Sequence, residues 1–139
     1  MAAHPESSRI YWIDAGITQT HNPNLLRTLP QRLQKYNKFV FLSHYYIDNT
    51  EIHGFVREGV HKYCKKTFVD RIMKGFFFGG NIDRMAEIME LYERVLIDSL
   101  AERYLSGADE TYHTILVNQR PDLFDQVIIP HCFDTTNSL

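Results

Sequence analysis

The stretch GFFFGGNIDRMAEIME, residues 75–90, decides how this chain folds. Three successive phenylalanines, Phe76 to Phe78, read as a short buried strand. Gly79 and Gly80 then mark a corner, where a chain turns sharply or where something approaches its backbone closely. From Asn81 the pattern becomes helical. Asn81 can cap the helix by accepting a bond from an early backbone N–H, and Asp83 lies near the positive end of its dipole. Met85, Ile88, Met89, Tyr92, Val95, Leu96 and Leu100 recur at helical spacing as one apolar face. Glu87, Glu90, Glu93, Arg94 and Arg103 fall largely elsewhere. The spacing predicts a helix from Asn81 to about Tyr104, roughly 36 Å long at 1.5 Å per residue. Such a helix crosses a whole domain and acts as a scaffold.

The flanking sequence supplies further strands. RIYWIDAG (9–16) has the aromatic and β-branched content of a strand, stopped by Gly16. KFVFLSHYYI (38–47) is a second strand candidate and DQVIIP (125–130) a last one. TQTHNPNLLRTLP (18–30) has the composition of a surface loop. Pro30 then suits the first position of a short helix through QRLQKY. DNTEIHGFVREGVHKYCKKTFV (48–69) fits a broken helix and an irregular insertion equally. ADETYHTILVNQRPDLF (108–124) reads as a second helix, closed near Pro121 because the residue before a proline disfavours helical geometry. Residues 130–139 form a polar tail. The mixed order of strands and helices predicts a single α/β domain.

Composition excludes several classes. The 139 residues are 44% hydrophobic, 23% charged and 13% aromatic, as expected for one domain with a sizeable core. A formal net charge of −2 argues against a nucleic-acid partner held by a basic surface. No apolar run approaches the roughly 20 residues that span a bilayer. MAAHPESSR at the start has no apolar signal segment, which makes the cytoplasm the default compartment. Cys64 and Cys132 are far apart and fit free thiols, and no two histidines stand at i, i+4 spacing.

Four features could carry chemistry. Asp14 closes a strand, where the ligand crevice of an open α/β sheet lies, and offers hard oxygen donors to Mg²⁺ or Mn²⁺. Taken alone, it more simply caps a turn through its own backbone. Gly79 and Gly80 admit a ligand or allow close packing. Asp109 and Glu110 suit a first helical turn, where carboxylates complement the dipole. They could also project into the crevice as a base or as acceptors for hydroxyls. The run HKYCKK (61–66), with Arg71 and Lys74, is either a solvated face or a phosphate contact.

In their order and spacing, YWIDAGI (11–17), KGFFFGGNIDRMAEIMELYERVL (74–96) and GADETYHTILVNQRPDLFD (107–125) resemble the HtrL/YibB-type family of glycosyltransferases and, more distantly, other enzymes of the GT-A fold. The resemblance runs from Arg9 to Ile129. It implies a partial GT-A-like mixed sheet and metal-assisted transfer of a sugar from a nucleotide-sugar donor to a carbohydrate or other hydroxyl acceptor. Asp14 would hold the divalent cation, Mn²⁺ or Mg²⁺, and His131 could complete that site. Gly79 and Gly80 would line a sugar pocket, with Trp12 and Lys74 among the substrate contacts. Asp109 and Glu110 would be catalytic, near the reacting carbon. The chain departs from the family in two ways. DAG carries one carboxylate where the full DxD motif has two, so a second ligand must come from elsewhere. Too little sequence precedes Asp14 for the nucleotide-binding βαβ half, whose crossover alone takes about a dozen residues. The chain therefore reads as the later part of a transferase, or as a non-catalytic carbohydrate-binding remnant of one.

Overall fold

A computed structural model of the chain describes residues 8–14, 24–45, 57–66, 69, 71–102 and 108–128. The elements are β1 (Arg9–Ile13), α1 (Asn24–Leu33), β2 (Phe39–Tyr45), α2 (Arg57–Cys64), β3 (Arg71–Asn81), α3 (Met85–Ala101), α4 (Asp109–Gln119) and β4 (Phe124–Ile128). The fold is α/β. Its four strands form one mixed sheet in the order β1-β3-β2-β4. β3 is antiparallel to both β1 and β2, while β4 runs parallel to β2. Thus β1, β2 and β4 all end at one edge of the sheet, beside the start of β3.

Each face of the sheet buries its own core. On one side Phe39, Phe41, Met73 and Phe124 pack against Val60 of α2, Val95 of α3 and Tyr112, Ile115 and Leu116 of α4. On the other, Val40, Leu42, Phe77 and Val127 pack with Leu33 at the end of α1. α4 is the central helix, packed against β3, α2 and α3. Its residues from Thr111 to Val117 are buried without interruption. A helix enclosed on all sides shows no apolar stripe, because every side meets protein.

The predicted strand at Phe76–Phe78 is real but much longer, running from Arg71 to Asn81 and straight through both glycines. Gly79 and Gly80 are therefore not a corner. They adopt φ of +148° and +159°, which favour glycine. A Cβ at Gly79 would lie 2.2 Å from the Ile10 carbonyl oxygen, and one at Gly80 would lie 2.5 Å from that of Lys38. The flanking backbones take up the space that side chains would need.

The chain turns only after Asn81, whose side chain accepts a 3.0 Å bond from Asp83 N–H as expected of a cap. Residues Ile82–Arg84 form a 3₁₀ turn before the long amphipathic helix α3. The apolar face of α3 is narrower than its spacing implied. Ile88, Val95 and Ser99 are buried, with Met85, Tyr92 and Leu96 packed beside them. Met89 and Leu100 are 57% and 55% exposed, since the neighbouring helix covers only part of the stripe. The expected helix end at Tyr104 lies outside the described residues.

The first helix also differs from expectation. It begins at Asn24 and contains Pro30 in its interior, so the predicted loop is half helical. Proline removes one intrahelical bond there, while Leu33 one turn later is buried in the core. Of the ambiguous segment, Arg57–Cys64 is helical.

Candidate functional site

The edge where β1, β2 and β4 end is also where α4 begins, and polar side chains from β2, β3 and α4 meet there. β3 is irregular at this point. Phe41 faces Phe78 and Ser43 faces Met73, so Lys74 to Phe77 together stand against the single Leu42. This bulge re-aims the strand beneath the first turn of α4. Met73 N–H donates instead to Thr114 Oγ1 at 3.0 Å.

Asp109 rests on Gly75. A Cβ there would lie 2.5 Å from Asp109 Oδ2 and 2.7 Å from Oδ1, so only glycine lets the carboxylate approach the strand. Asp109 Oδ1 accepts the Glu110 N–H at 3.0 Å. Glu110 turns to Lys74, with Nζ to Oε1 at 4.0 Å, and these side chains are only 13% (Lys74) and 18% (Glu110) exposed. The acids thus serve the helix amino end as expected, and Glu110 also meets a cation on the sheet.

His44, near the end of β2, joins them. Its Nδ1 donates to the Tyr45 carbonyl at 2.9 Å, because a carbonyl can only accept. That fixes the lone pair of the neutral ring on Nε2. Burial lowers its pKa most; the Tyr45 bond opposes that, Lys74 lowers it further, and Glu110 raises it. A neutral imidazole beside a lysine and a carboxylate can accept a proton from a bound hydroxyl.

One turn along α4, His113 is wedged between Phe41 and Phe78, with ring centroids 4.6 and 4.7 Å away. Burial depresses its pKa to about 4, against the pull of Asp109, so the ring is neutral. Phe78 is also the ring beneath Trp12, at 6.2 Å and 19° between planes. Trp12 is 57% exposed and offers its outer face to solvent. Ser43 Oγ, Thr111 Oγ1 and His113 Nδ1 are buried without a hydrogen-bond partner among the described residues.

The residues singled out in the sequence are therefore divided. Lys74, Asp109 and Glu110 come together. Asp14 is exposed just past the end of β1, where its N–H donates to the Phe76 carbonyl at 2.9 Å, one residue from Gly75. Trp12 stands further down β1, opposite Phe78. Gly79 and Gly80 are buried four and five residues along β3 from Gly75, about 13 Å or more at strand rise. The glycine at the acids is Gly75. His131 lies outside the described residues. His44 and Gly75 were missed. The available signal was a polar residue closing the apolar run FVFLS and a glycine directly after a lysine.

Two cavities of about 590 Å³ lie elsewhere. One is lined by Tyr11, Ile13, Pro30 and Leu33 between β1 and α1, and the other sits at the far end of α4. The oxygens of Asp14 and Asp109 are chemically suited to Mg²⁺ or Mn²⁺. Among the described residues, however, no three His, Cys, Asp or Glu side chains are grouped to hold an ion. Nor is any described helix long and apolar enough to cross a membrane. No family model, curated protein or solved structure matches the chain.

Proposed function

We propose that this edge binds a carbohydrate and that the protein is glycosyltransferase-like, moving a sugar from a nucleotide-sugar donor to a hydroxyl acceptor. The observation that carries the reading is the meeting of Asp109, Glu110, Lys74 and His44 where the parallel strands end, the usual position of an α/β ligand site. Carboxylates accept hydrogen bonds from sugar hydroxyls. An exposed aromatic ring such as Trp12 offers a face for the apolar side of a pyranose. Glu110 and Asp109 would orient the acceptor hydroxyl, and His44 Nε2 would take its proton. Lys74 would offset negative charge on the leaving group. A divalent cation held through Asp14, with His131, would add positive charge at the diphosphate.

The second reading is a sugar-binding protein without transfer, for which the exposed Trp12 and the carboxylates suffice. Calorimetry separates the two. The transferase reading expects UDP to bind in the presence of Mn²⁺ and binding to be lost in Asp14→Ala. It also expects Glu110→Gln to abolish hydrolysis of a UDP-sugar while far-UV circular dichroism stays unchanged. Binding of oligosaccharides with none of UDP leaves the second reading. If neither ligand binds, both fall.

A further inference from the structure

The other cavity opens where α2 and α4 end and α3 begins, at the opposite end of α4 from the acids. The lysine run of the sequence arrives here. Lys65 and Lys66 line the space together with Arg94, Arg120, Glu87, Glu90 and Asn118. Its charges do not cancel. Arg120 is held by Asp122 through two bonds of 2.9 and 2.7 Å, and by Glu87 at 2.7 Å. Glu87 also meets Arg84 at 3.1 Å, so these two arginines and two carboxylates form a closed neutral set. Lys66 donates to Asn118 Oδ1 at 2.6 Å, which orients the ammonium group without neutralising it. The side chains of Lys65 and Arg94 have no ion-pair or hydrogen-bond partner among the described residues, although Lys65 N–H donates to the Lys62 carbonyl at 3.1 Å. Among the described residues that line the cavity, Glu90 is the carboxylate left against Lys65, Lys66 and Arg94, an excess of two positive charges at its wall; on the outer side of α3 Arg94 also borders Glu93 and Asp98.

Helix carbonyl ends attract cations, and that effect accounts for Lys66 after α2 and Arg120 after α4. It does not account for Arg94, which lies in the middle of α3. Nor does it account for Lys65, just past the end of α2, with φ +53°, a conformation where glycine is the ordinary residue. A lysine there costs backbone strain and places an unneutralised ammonium group at the cavity mouth.

We propose that this cavity is a binding site for a phosphate dianion, either the free ion or the phosphate of a small monoester. Two surplus charges match a dianion. Lysine and arginine are its usual partners. About 590 Å³ falls within the range of small-ligand sites and leaves room for an organic body beside Asn118 and Glu90. The site is separate from the carbohydrate edge and does not depend on that reading.

The test is an amide NMR titration of the full chain with inorganic phosphate at constant ionic strength, with chloride as the exchanged ion. Saturable shifts are expected at Lys65, Lys66, Arg94 and Asn118, with Asp109 and Glu110 unmoved. Lys65→Gly is the decisive variant because it removes the charge and relieves the backbone. It should unfold at a higher temperature than wild type and bind phosphate at least tenfold more weakly. Arg94→Gln should weaken binding at least fivefold. Tighter binding of ribose 5-phosphate than of phosphate assigns the site to an organic ester, and equal affinity assigns it to the free anion. Shifts that never saturate, or phosphate binding by Lys65→Gly equal to wild type, overturn the proposal.

Discussion

Replacing Gly75 by alanine tests whether the acidic edge is built around a missing side chain. The new Cβ would lie 2.5 to 2.8 Å from the Asp109 carboxylate, and those three atoms are its nearest neighbours. They belong to a side chain and can move. Asp109 would swing away, losing its bond to Glu110 N–H and its place at the helix amino end, at a cost of about 0.5–1 kcal/mol. Local crowding adds about 1–2 kcal/mol. Relief from glycine's flexibility within a strand returns about 0.5 kcal/mol. The expected net loss is about 1–2.5 kcal/mol.

In an Asp109→Ala background the obstructing atoms are gone. Gly75→Ala should then stabilise the fold by about 0.5 kcal/mol. A double-mutant cycle in urea, with unchanged slope, should therefore give a coupling of about 1.5–3 kcal/mol and a reversal of sign. Additivity within about 0.5 kcal/mol would show that Asp109 does not occupy the space above Gly75. The carbohydrate reading also expects the single variant to lose sugar affinity, because its carboxylate has been displaced.

Gly79→Ala should cost at least about 3 kcal/mol in the same assay, since the obstacle is the backbone of β1 and φ is unfavourable; a loss under about 1 kcal/mol contradicts that packing. His113 has a folded pKa of about 4, below its ordinary 6.5, so the unfolded chain takes up the proton first as pH falls. Its contribution is full above about pH 6.5 and is lost towards pH 4, by about 3 kcal/mol, and His113→Phe should flatten that slope in denaturation curves across the window. Burial pushes the Cys64 thiol up to about 12, so in a Cys132→Ser variant a thiol reagent should label the native protein only as fast as it opens. Rapid labelling of the folded state refutes that.

What the sequence disclosed follows the range of the forces involved. Strands β1, β2 and β4 were legible because apolar and aromatic residues cluster over a few positions, and α3 because its period extends over many turns. Asp109 and Glu110 were legible as the start of α4, since a helix amino end selects acids locally. His44 was not, because its role depends on which carbonyl fixes its tautomer and on Lys74 and Glu110 from distant segments. The interior Pro30 was misread because local propensity places proline first in a helix, while packing of Leu33 held the earlier turn helical.

The choice of glycine shows why the site itself was the hardest part to read. Met73 and Phe78 are five residues apart, an odd spacing that in a regular strand sends side chains to opposite faces. Both nevertheless pack into the core beneath α4. The change of phase is taken up between them, where β3 gains three residues over β2. That region holds Lys74 and Gly75, and the first turn of α4 lands on it. A local reading of the strand finds the conspicuous glycine pair, whose space belongs to neighbouring backbones. The glycine beneath the acids emerges only from the register between two strands some thirty residues apart. The bulge therefore restores the alternation of the core and, in the same few residues, makes the gap through which the acids reach the sheet.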